Sequence, residues 1–184
     1  MTRAFEGVRV VDFTQVLSGP VATGNLAQLG ADVIKIELQG TGDQTRNLMA
    51  EGEWALAGLG PVFVGFNCGK RSIALDLKND EAKKVVRRMI ESADVVAENF
   101  KPGVMERLGF SYDDVRAIKP DIVYCSISGF GQNGPASRAG AYDGAIQAVS
   151  GLMSLTGTPE AGPIRIAFPI ADMTTGLTAS FAIA

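Results

Sequence analysis

Asp172 is the residue of this chain whose setting best suits nucleophilic chemistry. It stands in Pro169-Ile170-Ala171-Asp172-Met173-Thr174-Thr175-Gly176, which is apolar before the acid and helical after it. A lone carboxylate entering an apolar, glycine-containing segment is partly desolvated, and desolvation makes it a better nucleophile. The same placement suits a helix N-cap, which stabilises a helix by about 1 kcal/mol. Local chemistry favours the cap, and both uses stay open at this level. Histidine is absent, which removes every mechanism that needs imidazole from this chain as base, shuttle or ligand. A Ser-His-Asp or Cys-His site cannot be completed from these residues. Cys68 and Cys125 are far apart and fit no metal-ligand spacing, so no metal is expected and both thiols are expected reduced.

Two further segments could touch a ligand. Asn67-Cys68-Gly69-Lys70-Arg71-Ser72 places two cations just before a strand. Lysine would meet a phosphate there as a point charge and arginine as a fork, and a charged turn is the equally simple reading. Gly129-Phe130-Gly131-Gln132-Asn133-Gly134-Pro135 follows the last strand. Its glycines let backbone approach a ligand closely, and a flexible surface loop would look the same. The junction from Gln15 to Gly24 lacks G-x-G-x-x-G, and Pro20 removes a backbone donor, so a dinucleotide is not expected. No G-x-x-x-x-G-K-[ST] occurs, because Arg71 follows Lys70.

Charge narrows the partners. Lys and Arg total 17 against 20 Asp and Glu, a net −3 that argues against nucleic acid. Lys83, Lys84, Arg87 and Arg88 cluster on the polar face of a predicted helix and read as solvated. No apolar run approaches the roughly 20 residues that span a bilayer, and the first residues carry no signal region. A cytoplasmic protein without a membrane partner is expected.

The elements that must position these residues follow from periodicity. Val8 to Val11 is a β-branched run ending at Asp12-Phe13, and Ser18-Gly19-Pro20 opens a helix carrying Ala22, Leu26 and Leu29 to a stop at Gly30. Ala31 to Glu37 is the second strand, and Gly40 to Asp43 is loop-like. Ser72 to Leu77 is a strand, followed by a helix opened by Asn79-Asp80-Glu81 with Ala82, Val85, Val86, Met89 and Ile90 as its buried stripe. Ala93 to Ala97 is the next strand, Ser111 caps a short helix ended by Pro120, and Ile122 to Ile127 is the last strand. This alternation predicts an α/β fold with a mostly parallel sheet and helices on both faces. Ligands of such sheets bind at the carboxyl ends of the strands, here 16–19, 39–43, 99–103 and 128–134. Leu177 to Ala184 reads as helix interior with no Gly, Asn or Pro to stop it, so the chain is expected to end in mid-helix.

Taken in order, the motifs resemble the class III CoA-transferases, the CaiB/BaiF family that includes formyl-CoA and carnitine CoA-transferases. The resemblance rests on Gly7-Val8-Arg9-Val10-Val11-Asp12-Phe13, Gly19-Pro20, Leu29-Gly30-Ala31-Asp32-Val33-Ile34-Lys35-Ile36-Glu37 and Gly42-Asp43. It continues through Lys70-Arg71-Ser72, Asp94-Val95-Val96, Glu98-Asn99-Phe100, Pro102-Gly103, Gly109-Phe110, Gly129-Phe130-Gly131 and Ala171-Asp172, covering nearly the whole chain.

That resemblance implies a Rossmann-like large domain, a smaller second domain, and a homodimer of interlocked chains. Residues 1–184 would be the N-terminal part of the CoA-binding large domain, without the small domain and the return segment. Acyl-CoA and a small carboxylic acid are the implied partners, with CoA as a substrate and no tightly bound cofactor. Asp172 matches the family's catalytic aspartate, which carries mixed-anhydride and aspartyl-CoA thioester intermediates. Val16, Leu17 and Ser18 would flank the pantetheine, and Lys70 and Arg71 would face the nucleotide phosphates. Asn99, Phe100 and Arg107 match further CoA contacts, and Gln39 stands where relatives often carry an arginine beside the adenine. Ser128 and Phe130 replace a lysine and a tyrosine of the formyl-CoA branch, which points away from formate and oxalate. Gly129, Gly131 and Gln132 would form the substrate loop. An α-methylacyl-CoA racemase shares the fold, but Tyr142 stands where those relatives place a histidine before Asp143, and tyrosine is a poor base near neutral pH. A chain that only binds CoA or assembles with a partner is the other alternative, with exposed apolar surface as its mark.

Overall fold

The computed structural model describes residues 2–184. Strand β1 (Arg9–Asp12) leads to α1 (Ser18–Gln28) and β2 (Asp32–Leu38), and a 3₁₀ turn at Gln44–Arg46 precedes α2 (Gly52–Leu56) and α3 (Pro61–Asn67). Next come β3 (Arg71–Leu75), α4 (Asp80–Glu91), β4 (Val95–Glu98), α5 (Val104–Leu108), α6 (Tyr112–Ile118) and β5 (Val123–Ser126). The last part holds α7 (Asp143–Val149), the short hairpin β6 (Gly157–Thr158) and β7 (Gly162–Pro163), and α8 (Ile170–Ile183). The five main strands pair in parallel in the order β3-β2-β1-β4-β5.

Alternation along each strand sorts the core into two layers. Val11, Ile36 and Val96 pack with Val86 and Ile90 of α4 and Val115 of α6. Their neighbours Val10, Val33 and Val95 point the other way, onto Leu26 and Ala27 of α1. Helices therefore cover both faces, as the sequence predicts. The expected caps are also present. Asn79 accepts the Glu81 N–H at 2.8 Å. Ser111 and Asp114 form a reciprocal capping box.

The chain order reverses between β1 and β4, so the loops after these two strands diverge and leave a crevice at their carboxyl ends. Helix α8 closes one side of it by lying on α1. Gly176 makes that approach possible: a Cβ there would stand 2.6 Å from Val21 Cβ and 2.7 Å from the Ser18 carbonyl. Asn25 Nδ2 donates to Ser180 Oγ at 3.0 Å further along the same contact. Among the described residues, no helix is long and apolar enough to cross a membrane.

Candidate active site

The loop after β1 is held from two sides. Asn99, just past β4, accepts the Gln15 N–H at 2.7 Å and donates to the Gln15 carbonyl at 2.8 Å, as a neighbouring strand would. Asp43 accepts the Val16 N–H at 3.2 Å. Between these clamps Val16 takes φ +69°, a left-handed conformation that a β-branched residue rarely adopts. Such strain costs on the order of 1–3 kcal/mol and persists only where surrounding contacts over-determine it. Beneath the loop lie two buried ion pairs, Lys35 with Asp43 at 3.0 Å and Lys70 with Asp12 at 3.0 Å. Burial pushes the Asp12 carboxyl up, but the Lys70 and Lys35 ammoniums and the Thr14 and Thr23 hydroxyls outweigh it and hold the acid below its usual range.

A cavity of about 390 Å³ opens above this platform. Its walls come from the loop after β1 (Gln15, Val16, Leu17, Ser18), the loop after β4 (Asn99 to Pro102), the segment after β5 (Ile127 to Gly129), and Ser137 with Ala139 to Tyr142. Ala171, Asp172 and Thr175 of α8 complete it. Gly129 has no room for a Cβ against Ala141, which brings the segment after β5 directly onto the approach to α7. Asp172 and Lys101 are the charged side chains on these walls. Burial, and after it the negative charge of Asp143, pushes the Asp172 carboxyl up to about 6.

Asp172 is not the helix cap. Pro169 occupies that position without a side-chain hydrogen bond, and Asp172 stands in the first turn. The cap comes from another helix: Asp143 Oδ1 accepts the Ala171 N–H at 2.8 Å and the Asp172 N–H at 3.4 Å. The Asp172 carboxylate is thereby left free toward the cavity. Cys125 is half-buried, and burial together with Glu98 pushes its thiol up, which disfavours the thiolate.

Residues 5–184 match the sequence profile of CoA-transferase family III. The chain belongs to that family. It is 42% identical to human succinyl-CoA:glutarate CoA-transferase over 98% of this chain and 41% of that protein. It is 46% identical to acetyl-CoA:oxalate CoA-transferase of Acetobacter aceti over 88% of this chain and 41% of that protein. The crystal structure of a CaiB/BaiF family protein from Brucella suis superposes with a TM-score of 0.92 at 40% identity, covering all of this chain and 48% of the other. The chain thus spans about two fifths of the length of these curated relatives.

Of the expected site residues, the structure gathers Val16, Leu17, Ser18, Asn99, Phe100, Ser128, Gly129 and Asp172 around one cavity. Other expected residues lie apart. The Lys70 ammonium is inside the protein, bonded to Asp12, Thr23, Asn67 and the Pro20 carbonyl. Arg71 starts β3 and forks onto Asp32 at the amino end of the sheet, opposite the cavity. The structure does not bring these two cations together at the cavity. Consecutive residues entering a strand point to opposite sides, so one neighbour turns in and the other out. Gln39 is exposed past β2, and Arg107 is exposed on α5 near Gly103. Phe130 and Gly131 lie off the cavity wall. Gln132 donates to Ser126 at 2.5 Å and lines a smaller neighbouring cavity instead.

Sequence reasoning missed Lys101 and the capping role of Asp143. Lys101 belongs to a loop already placed at a strand's carboxyl end, so its position was a usable signal. Asp143 reaches Ala171 across 28 residues of sequence, and no local pattern announces that contact.

Proposed function

We propose that Asp172 is the nucleophile of a reaction that moves CoA from an acyl-CoA donor to a carboxylic acid. The observation that carries this reading is a half-buried carboxylate, pushed up to about 6, on the wall of the crevice at the sheet's topological switch point. Such a group is ionised at neutral pH yet poorly solvated, which suits attack on a thioester.

In the proposed sequence, an Asp172 oxygen attacks the donor's thioester carbonyl, the C–S bond breaks, and CoA leaves as thiolate. The product on the enzyme is a mixed anhydride. The thiolate then attacks the Asp172 carbonyl, the anhydride C–O bond breaks, and the donor acid departs as carboxylate, leaving an aspartyl-CoA thioester. The acceptor carboxylate attacks that thioester and releases the thiolate again. Attack of the thiolate on the acceptor carbonyl yields acceptor-CoA and regenerates Asp172. No net proton, water or electron is consumed, in keeping with a chain that has no histidine. Val16, Leu17, Ser18, Asn99, Phe100 and Ser128 would border the thioester end of CoA. Relatives named for glutarate and for oxalate make short dicarboxylic acids the first acceptors to test.

The same reading makes this chain the N-terminal part of the large domain of a cytoplasmic homodimer. The test is to incubate the full-length enzyme with an acyl-CoA donor, trap with hydroxylamine, and locate the hydroxamate by mass spectrometry. A modified Asp172 and an inactive Asp172→Asn variant are expected. A fully active Asp172→Asn enzyme rules the reading out.

A further inference from the structure

We propose that Asp143 is the positioning residue for Asp172: its carboxylate holds the first turn of α8 in place, and its negative charge opposes that of Asp172 across the turn. This inference rests on Asp172 as the reactive group.

The geometry carries it. Asp143 is only 9% exposed, and among the described residues it has no cationic partner within ion-pair distance. A buried carboxylate without a cation must be held by N–H donors. Three supply that role: the Ala171 N–H at 2.8 Å and the Asp172 N–H at 3.4 Å on Oδ1, and Gln147 Nε2 at 2.6 Å on Oδ2. Gln147 is fully buried and also accepts the Ile166 N–H at 2.9 Å through its Oε1, so the segment leading into α8 is tied to the same pair. Pro169 offers α8 no side-chain cap of its own. One residue on α7 therefore satisfies orphan donors at the start of α8 and faces the amino end of that helix's dipole.

A neutral cap would satisfy the same donors, so the charge has a separate consequence. Burial is the larger cause of the upward displacement of the Asp172 carboxyl, and the Asp143 charge is the second. The other groups facing Asp172 are few. Helix α1 carries no titratable residue, and neither does the remainder of α8. The loop after β4 contributes Lys101, and the approach to α7 contributes Tyr142. Arg165 stands beside Gly144 on α7. Of these, Asp143 is the negative one, and removing its charge must lower the pH at which Asp172 ionises.

Asp143→Asn keeps an oxygen acceptor for the Ala171 N–H and removes the charge. In the full-length enzyme, the carboxyl carbon of Asp172 is followed by ¹³C NMR across pH 4 to 8, alongside the acid limb of kcat. Because Asp143 is the smaller of the two causes, both readouts are expected to move to lower pH by up to about one unit. Asp143→Ala moves them in the same direction and lowers kcat further, through loss of the cap. Asp143→Glu keeps the charge and returns both toward the wild-type midpoint. If the Asn variant does not fold, Asp143→Ser serves as the smaller uncharged cap. A folded Asn or Ser variant with an unmoved Asp172 midpoint overturns the proposal. The NMR titration needs no turnover, so its failure is distinguishable from failure of the nucleophile assignment, which Asp172→Asn and the hydroxylamine trap decide.

Discussion

A single methyl group at Gly176 tests whether the α1–α8 contact sets the position of Asp172. Gly176→Ala would place a Cβ 2.6 Å from Val21 Cβ and 2.7 Å from the Ser18 carbonyl oxygen. Ordinary contact begins near 3.4 Å. Both neighbours belong to the opening of α1, and the carbonyl is backbone, so neither can swing aside. Helix α8 must then lift by about 0.8 Å, the gap between the forced and ordinary separations. Overpacking of this kind costs about 1–3 kcal/mol, to be read as a lower thermal midpoint. Asp172 lies one helical turn before Gly176 and moves with the helix. Misplacing a reacting group by ~1 Å costs roughly 100-fold in rate, so kcat is expected to fall by one to two orders of magnitude. The assay is steady-state CoA transfer by the full-length enzyme, paired with single-turnover formation of the Asp172 adduct. Adduct formation should slow by the same factor as kcat. Wild-type kcat in a variant with an unchanged thermal midpoint would refute the packing argument. A lower midpoint with wild-type adduct formation would show that Asp172 does not ride on this contact.

Lys101 is the cation on the cavity wall and has no ion-pair partner among the described residues. Lys101→Met should raise KM for an anionic substrate by about 5-fold, the equivalent of roughly 1 kcal/mol for one exposed charge contact. Unchanged KM values for the acyl-CoA and for a series of mono- and dicarboxylic acids would remove Lys101 from the site. Glu37 gives a pH dependence of stability. Burial alone would raise its carboxyl, but the Arg46 fork, the Ser72 hydroxyl and the Asp43 N–H bring it from an ordinary 4.5 down to about 2. Its folded form binds protons less readily than its unfolded form, so its contribution is complete above about pH 4.5 and is lost as pH falls toward 2. The total is roughly 3 kcal/mol. Denaturant titrations of wild type and Glu37→Gln should therefore converge between pH 4.5 and 2; parallel curves across that window would refute this.

Much of the sheet is legible because its signal is local. The β-branched runs around Val10, Val33 and Val95 and the stripe through Val86 and Ile90 need only periodicity. Asn79 and Ser111 announce their helices by cap chemistry. The misses have non-local causes. Helix α7 spans only seven residues, and it matters because Asp143 and Gln147 are satisfied by residues 166–172. The β6–β7 hairpin has two residues per strand, too few for alternation to register. Helices α2 and α3 fall in a stretch where glycines at 52, 58, 60 and 65 break any periodic pattern. Lys35 shows a signal that was available and unused. A lysine inside Val33-Ile34-Lys35-Ile36 cannot be buried without an acid, and Asp43 is the acid eight residues on.

Two carboxylates of this fold differ sharply in what surrounds them. Rossmann folds place an acid at the end of β2 to accept a ribose hydroxyl. Glu37 occupies that place, but Arg46 grips it at 2.6 and 2.7 Å and Ser72 at 2.5 Å, and it is 2% exposed. Its acceptor capacity is consumed inside the protein, where it anchors the turn carrying Asp43 and, through Asp43, the strained backbone of Val16. Asp172 has the opposite environment, with no cation in ion-pair range among the described residues and a like charge beyond its own backbone. One acid is stabilised as an anion to about 2 and is structural, whereas the other is pushed up to about 6 and faces the cavity. The two acids thus differ in environment, one gripped by hydrogen bonds inside the protein and one open to the cavity. The lysines divide likewise: Lys35 and Lys70 are paired and buried beneath the loop, while Lys101 lines the cavity with no ion-pair partner among the described residues.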